Sequence, residues 1–122
     1  EDDLSVLMTD AWVEEAGTQN GAAFQGFPYF LVRAKQYGIP VEKVVRKMTG
    51  ATAERFGIKK RGTLAAGNCA DVTVFDFDNM KVEPTVPDFA PQGIRHVMVN
   101  GKLAVRDGEF LAARAGEIIL KK

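Results

Sequence analysis

The stretch RGTLAAGNCADVTVFDFD, residues 61–78, marks the point at which the sequence changes from helical to β-strand periodicity. Gly62 and Gly67 lie in two short turn-forming segments, and the run from Ala70 to Phe75 is rich in β-branched and aromatic residues, which favour strands. Side chains alternate between the two faces of a strand, and neither set is clearly polar here. We therefore expect a strand that is covered on both faces.

Three helices are predicted before this stretch. Apolar residues recur at helical spacing over residues 27–37, with Pro28 in the first turn and Gly38 at the stop. A second amphipathic helix follows Pro40, and a short third helix follows Thr49, which is predicted to be its N-cap residue. The sequence therefore predicts a helical first half.

Sheet structure is predicted after residue 78. An irregular segment with three prolines comes first, and within it residues 81–83 are predicted to form a short edge strand. Asn-Gly and Asp-Gly pairs then separate three apolar runs, and both pairs are strong signals for two-residue hairpin turns. We expect a three-stranded meander over residues 94–99, 102–106 and 109–111.

The N-terminal part offers one candidate chemical group. A short apolar run, Leu4 to Met8, ends in Asp10, which predicts a buried, parallel-type strand with a carboxylate at its C-terminal end. A single strand-terminal Asp is a weak motif, and the alternative is that Asp10 caps a following turn. Residues 11–26 show little periodicity and predict a long loop.

Composition excludes several classes of function. The chain has 122 residues, of which 46% are hydrophobic and 26% charged, as in ordinary soluble globular proteins. Sixteen basic and sixteen acidic residues cancel, so we expect neither nucleic acid nor a membrane as a partner. There is no charged-then-apolar leader and no apolar run of about 18 residues, which makes a cytoplasmic location the default prediction.

The remaining reactive side chains favour structural roles. The chain has one cysteine, Cys69, and one histidine, His96, so it has no internal disulfide and no self-contained zinc site, which needs about three or four ligands. His96 has no triad partner at a recognisable spacing, and Cys69 is typical of a small buried residue. Asp71 is predicted to fix the preceding turn, and the basic run 59–61 is predicted to be a solvated turn.

The sequence resembles the C-terminal portion of metal-dependent amidohydrolases. The resemblance includes the Gly-Thr turn, the second glycine and Ala-Asp-Val-x-Val-Phe-Asp in residues 62–76, together with MTGATAERFGI (48–58) and IRHVMVNGKLAVRDGEF (94–110). In these enzymes such a segment leads from the catalytic barrel into a small β-sandwich. The similarity is closest to the N-acyl-D-amino-acid deacylases (D-aminoacylases) and hydantoinase-like members.

The resemblance implies an α+β fold in two parts. Residues 1–57 would be the last strand and helices of a TIM-type (β/α)8 barrel, and residues 58–122 a small β-sandwich. Asp10 would then be the catalytic aspartate, which binds or faces the metal centre and takes a proton from the attacking water. Trp12 and Phe24 would lie over the substrate pocket, although both could instead pack on the next helix.

The function implied by the resemblance is hydrolysis of an amide bond in a small molecule, such as an N-acyl-D-amino acid or a cyclic ureide. The complete enzyme would use zinc or another divalent metal. A (β/α)8 barrel needs about 250 residues, so this chain would be a fragment that lacks the histidine-bearing strands. We therefore expect the chain alone to bind no metal and to be inactive.

A non-catalytic assembly or interaction domain is the alternative. The sandwich of the resembling enzymes also uses strands from the N-terminal part of the enzyme, so their absence would leave an unpaired sheet edge and an uncovered helix face. This predicts a homo-oligomer or a swapped dimer. The amidohydrolase interpretation itself predicts that Asp10 faces a concavity rather than open solvent.

Overall fold

The computed structural model describes residues 4–12 and 14–120, in which three helices precede a four-stranded sheet. All strand pairs are antiparallel, in the order β1-β2-β3-β4. This arrangement confirms the α+β class. None of the helices in the described part has the length and apolar character needed to span a membrane. The elements are α1 (Gly21–Gln36), α2 (Val41–Met48), α3 (Gly50–Phe56), β1 (Val72–Phe75), β2 (Ile94–Val99), β3 (Lys102–Arg106) and β4 (Glu109–Phe110).

Helix α1 begins at Gly21, earlier than predicted. The side chain of Asn20 accepts a hydrogen bond from the backbone N–H of Ala22 at 2.8 Å, so Asn20 is the N-cap. The pair Asn20-Gly21 is favourable in turns, but Asn also favours the N-cap position. The predicted loop therefore ends at residue 20, and Pro28 lies inside α1 rather than in its first turn. There it lacks the N–H that would donate to the carbonyl of Phe24.

Glycine residues in the left-handed conformation end helices α1 and α3. Gly38 and Gly57 adopt φ values of +64° and +68°, the left-handed conformation that ends α1 and α3 as predicted. Thr49 is the N-cap residue of α3, as predicted, but its side chain does not cap the helix, because its hydroxyl donates to the carbonyl of Val45 at 2.7 Å. Thr49 lies directly between α2 and α3, so the preceding turn satisfies its side chain.

The meander of β2, β3 and β4 is confirmed. Asn100 and Gly101 have φ of +48° and +77°, and Asp107 and Gly108 have φ of +51° and +84°. Positive φ at both central residues is the type I′ turn that suits a two-residue hairpin.

Two predictions about strands are wrong. Strand β1 is not covered on both faces, since Thr73 and Val74 are exposed; it pairs only with β2 and lies at the sheet edge. The predicted edge strand 81–83 is reduced to one bridge between Lys81 and Gln92, because the flanking prolines cannot donate to a ladder. The described strands form one sheet, so the second sheet of a sandwich is not observed in this part of the chain.

The segment from Leu4 to Asp10 is not a strand, and both Leu4 and Met8 are exposed. A parallel strand needs neighbouring strands, and the described ones form a separate antiparallel sheet. The segment lies instead on the helices, where the N–H of Leu7 donates to the carbonyl of Lys47 at 3.3 Å. The Nζ of Lys47 also donates to the hydroxyl of Ser5 at 2.7 Å. A barrel remnant is therefore not confirmed.

The core joins the helices to the sheet. Its buried members are Leu31 and Ala34 of α1, Val44 of α2 and Met80, and the partly buried Phe75 and Ile94 of the sheet pack against them. The core thus includes residues from both sides of the predicted division at residue 57, and that division stays a prediction.

A buried glutamine anchors the proline-containing segment to α1. Gln25 is 3% exposed, and its Nε2 donates to the carbonyls of Glu83 at 3.1 Å and Val86 at 2.8 Å. Its Oε1 accepts from the backbone N–H of Glu83 at 2.6 Å. One side chain therefore satisfies three backbone groups of a segment without regular structure, as buried polar groups require.

We predict that Gln25→Ala lowers the free energy of unfolding by about 2 kcal/mol, because it leaves buried backbone groups without partners. Denaturant unfolding measures the loss, and hydrogen exchange should show faster exchange of the Glu83 amide. The control is Gln36→Ala, which removes an exposed glutamine near the end of the same helix. Equal stability of the two variants would contradict the anchoring role.

Candidate functional site

Asp10 follows the N-terminal segment that lies on the helices. It is exposed and has a φ of +50°, a left-handed conformation that Asp tolerates better than most residues. Within residues 4–12 and 14–120, its carboxylate makes no hydrogen bond or ion pair, so the predicted alternative of a turn cap has no support there. The carboxylate is open to solvent.

A glycine in α1 lets this segment approach the helix. A Cβ atom added at Gly26 would lie 2.3 Å from Cγ2 of Thr9 and 2.8 Å from its Cβ, distances that real side chains do not adopt. Thr9 directly precedes Asp10, so Gly26 determines where the carboxylate lies relative to α1. The sequence pattern predicted that Gly26 lies in a loop. Because glycine is unfavourable inside a helix, a glycine at such a position indicates that another segment approaches the helix closely.

The two predicted substrate-binding aromatics are separated by the start of α1. Trp12 is exposed, and its indole N–H donates to the carboxylate of Glu14. Phe24 lies in the first half of α1 and is also exposed. Neither residue is buried against the helix, and their proposed role in substrate binding stays a prediction.

An apolar concavity lies elsewhere, between the helices and the sheet. It is an open apolar cleft of about 820 Å³, with Leu31, Met48 and Ala53 on the helical wall and Phe75 and Val97 on the sheet wall. Asp10, Trp12 and Phe24 are not among its lining residues. The structure thus does not bring the predicted site residues into this cleft.

The described residues do not form a metal site by themselves. Within residues 4–12 and 14–120, no three His, Cys, Asp or Glu side chains are close enough together to bind an ion. His96 is partly exposed, and its Nδ1 accepts from the backbone N–H of Asp107 at 3.3 Å. Cys69 is partly buried as a free thiol. Both arrangements fit the structural roles predicted for these residues.

A polar cluster at the edge of the cleft was not predicted. The guanidinium of Arg61, only 14% exposed, donates to the carboxylates of Asp71 and Glu117 and to Oδ1 of Asn100 at 2.6 Å. We call these four residues the Arg61 cluster. The prediction of a solvated turn at residues 59–61 is wrong for Arg61, because partners 10, 39 and 56 residues away along the chain enclose it.

Asp71 links the cluster to the β2–β3 turn. Its Oδ1 accepts from the backbone N–H of Asn100 at 2.8 Å, so it fixes the β2–β3 turn, and the prediction that it fixes the preceding turn is wrong. The hydrogen bond from Asn100 and the neighbouring Arg61 hold the pKa of the Asp71 carboxyl below its ordinary value, although partial burial opposes them. The hydrogen bond to Asp71 likewise raises the pKa of Arg61.

We predict that Gly26→Ala destabilises the protein by about 1 kcal/mol, because the clash with Thr9 outweighs the better helix propensity of alanine. The amide of Leu7 should also exchange faster, since the N-terminal segment is displaced. Gly21→Ala in the same helix is the matched control, because its new Cβ would meet the nearest atom, in Pro87, at an ordinary 3.5 Å. Equal effects of the two substitutions would argue against the close approach.

We predict that Asp71→Asn lowers stability by about 1 kcal/mol at pH 7 through loss of a charged hydrogen-bond acceptor. The folded-state pKa of Asp71 lies below its ordinary 3.8, so its contribution is present above that value and is lost as the pH falls through the folded pKa. Thermal unfolding from pH 7 to pH 2 should show the two proteins converging in acid. The control is Asp88→Asn at an exposed position, and a pH-independent difference would contradict the prediction.

Comparison with known proteins identifies the family. A model described as "Amidohydrolase family" matches residues 5–105. The D-aminoacylase of Alcaligenes xylosoxydans xylosoxydans is 38% identical over 91 residues, which cover 72% of this chain and 19% of that protein. The chain therefore spans about a fifth of the length of this relative.

Solved structures agree with this comparison. A crystal structure of D-aminoacylase has a TM-score of 0.69 and 36% identity over 74% of this chain and 20% of its own. The structure of N-acyl-D-glutamate deacylase from Bordetella bronchiseptica, with zinc and a phosphonate inhibitor that mimics the tetrahedral intermediate, has a TM-score of 0.55 and 35% identity. That match covers 59% of this chain and 16% of the deacylase. The predicted resemblance is thus confirmed, and the chain belongs to the amidohydrolase family.

Proposed function

We propose that this chain is the C-terminal part of a metal-dependent amidohydrolase that hydrolyses N-acyl-D-amino acids. The observation that carries the proposal is the match of residues 5–105 to the family, together with 38% identity to a D-aminoacylase. We favour N-acyl-D-amino acids over cyclic ureides because the similar proteins include D-aminoacylase and deacylases of N-acyl-D-glutamate and N-acyl-D-aspartate.

In this proposal, residues 1–57 form the end of a catalytic (β/α)8 barrel and residues 58–122 belong to a small β-sandwich. The segment from Leu4 to Asp10 supports the first part, since it lies on α2 and presents its polar end to solvent. Neighbouring barrel strands would then be supplied by parts of the enzyme that correspond to the unmatched four fifths of the relatives.

Asp10 is the proposed proton shuttle. Its carboxylate takes a proton from the water that attacks the amide carbonyl, and it gives the proton to the departing nitrogen as the C–N bond breaks. The exposed carboxylate, without an ion pair to the described residues, is available for this transfer. Trp12 and Phe24, which are exposed near it in the sequence, are proposed to contact the substrate.

Zinc or another divalent metal is proposed for the complete enzyme, with Asp10 as one of its ligands. Zinc activates water and polarises carbonyl groups in hydrolases of this kind. The described residues alone do not form the site, so the remaining ligands would come from other parts of the enzyme, and the chain alone is proposed to bind no metal. The cytoplasmic location stays a prediction.

We predict that Asp10→Asn lowers kcat for an N-acetyl-D-amino acid by about 100-fold or more in the complete protein that contains this chain, because a positioned general base is lost. Release of the free D-amino acid, measured with and without zinc, gives the rate. Asp88→Asn, at another exposed aspartate, should leave kcat unchanged. The isolated chain should show no turnover.

Three outcomes would contradict the proposal. An unchanged kcat in the Asp10→Asn variant would remove the assigned role of Asp10. Preference for the L-enantiomer would remove the substrate class, and zinc-dependent turnover by the isolated chain would show that it contains a complete site.

A non-catalytic assembly domain is the second candidate, and the open apolar cleft favours it. β1 and β4 are the edge strands of the described sheet, and Phe110 on β4 is largely exposed. An unpaired edge beside apolar surface promotes pairing with another chain. In this alternative the isolated chain forms a homo-oligomer or swapped dimer, and light scattering that shows a stable monomer at micromolar concentration would contradict it.

A further inference from the structure

A close contact between the N-terminal segment and α1 lies directly beside Asp10. Thr9 is partly buried, whereas Met8 and Asp10 on either side of it are exposed. The side chain of Thr9 lies where a side chain at Gly26 would begin, because a Cβ there would be 2.8 Å from the Cβ of Thr9. The contact therefore depends on the absence of a side chain at residue 26.

The same segment is attached to the other two helices at earlier positions. The N–H of Leu7 donates to the carbonyl of Lys47 in α2 at 3.3 Å. The guanidinium of Arg55 in α3 donates to the carbonyl of Leu4. Thr9 adds a contact with α1 at the residue that precedes the carboxylate. Contacts with three helices thus determine the path of the segment.

The backbone conformation of Asp10 needs this support. Its φ of +50° lies in the left-handed region, which is unfavourable for residues other than glycine. Such conformations persist where the surrounding structure holds them, and they are concentrated at active sites. If Thr9 were displaced from α1, the backbone at Asp10 could relax, and the carboxylate would point in another direction.

We propose that Gly26 is a positioning residue for the general base of the hydrolase. Because Gly26 has no side chain, Thr9 can rest on α1, and this contact holds the Asp10 carboxylate at the attacking water. The inference rests on the proposed function, in which Asp10 takes a proton from that water. Proton transfer needs the base within hydrogen-bond distance, and small displacements of a reacting group lower the rate steeply. Gly26 acts through Thr9 and takes no part in the chemistry itself.

The test is Gly26→Ala in the complete protein that contains this chain, with an N-acetyl-D-amino acid as substrate. We expect kcat to fall about tenfold and KM to change by less than about twofold, because the contact holds the base rather than the substrate. Gly21→Ala in the same helix is the matched control. Its new Cβ would meet the nearest atom at an ordinary 3.5 Å, so its kcat should equal that of the wild type.

Gln25→Ala separates positioning from stability. The side chain of Gln25, the residue before Gly26, binds backbone groups of Glu83 and Val86 rather than the N-terminal segment. Its removal is expected to cost more stability than Gly26→Ala, because buried backbone groups lose their partners. At a temperature at which all variants are folded, Gln25→Ala should nevertheless retain the wild-type kcat. A kcat that follows stability across the variants would overturn the positioning role.

A second substitution, at Thr9, tests the contact itself. With Thr9→Gly, the nearest atom of residue 9 to a Cβ at residue 26 is the Cα at 3.8 Å, an ordinary distance. Gly26→Ala should therefore lower kcat about tenfold beside Thr9 but less than about twofold in the Thr9→Gly background, as expected for coupled residues. An equal loss in both backgrounds, or equal kcat values for Gly26→Ala and Gly21→Ala, overturns the inference alone.

Asp10→Asn distinguishes this failure from failure of the proposed function. An unchanged kcat in Asp10→Asn, or no turnover by the wild-type protein, overturns the proposed function and the inference with it. A large loss in Asp10→Asn, together with the background-dependent loss in Gly26→Ala, supports both.

Discussion

The guanidinium of Arg61, whose side chain is only 14% exposed, ties together parts of the chain that regular secondary structure does not connect. It follows the helical half and precedes β1, yet it contacts the β2–β3 turn through Asn100 and the C-terminal residues through Glu117. A guanidinium with several donors in fixed directions suits such a junction better than a lysine ammonium does. The Arg61 cluster is therefore a polar connection, separate from the apolar core around Met80, that joins the segment after α3 to the β2–β3 turn and the C-terminal residues.

Local backbone chemistry explains which parts of the fold were predictable from sequence. The Asn-Gly and Asp-Gly turns were predictable because positive φ is needed at both residues, and so were the helix ends at Gly38 and Gly57. The start of α1 was not predictable, because an Asn-Gly pair is favourable both in a turn and at a helix N-terminus. Gln25 and Arg61 were missed because their partners lie far along the chain, and no periodicity marks a tertiary hydrogen bond.

The candidate site shows a different limit of prediction from sequence. The amidohydrolase interpretation predicted that Asp10 faces a concavity, but Asp10 is exposed and does not line the cleft. The family is nevertheless established by the match over residues 5–105. Both observations are compatible because active sites of (β/α)8 barrels are assembled from loops after several strands, and one strand end cannot form a pocket alone. The role of Asp10 in a site therefore stays a prediction.

The open cleft follows from how little of the apolar surface this chain buries. Among the described residues, no large side chain is fully buried, whereas many large hydrophobic residues are exposed. A chain of this size has a small margin of stability, so individual polar anchors contribute a larger share than they do in a domain with a large core. Gln25 holds the proline-containing segment, and Arg61 holds the C-terminal residues through Glu117. The same shortage of apolar cover leaves the walls of the cleft between the helices and the sheet accessible to solvent.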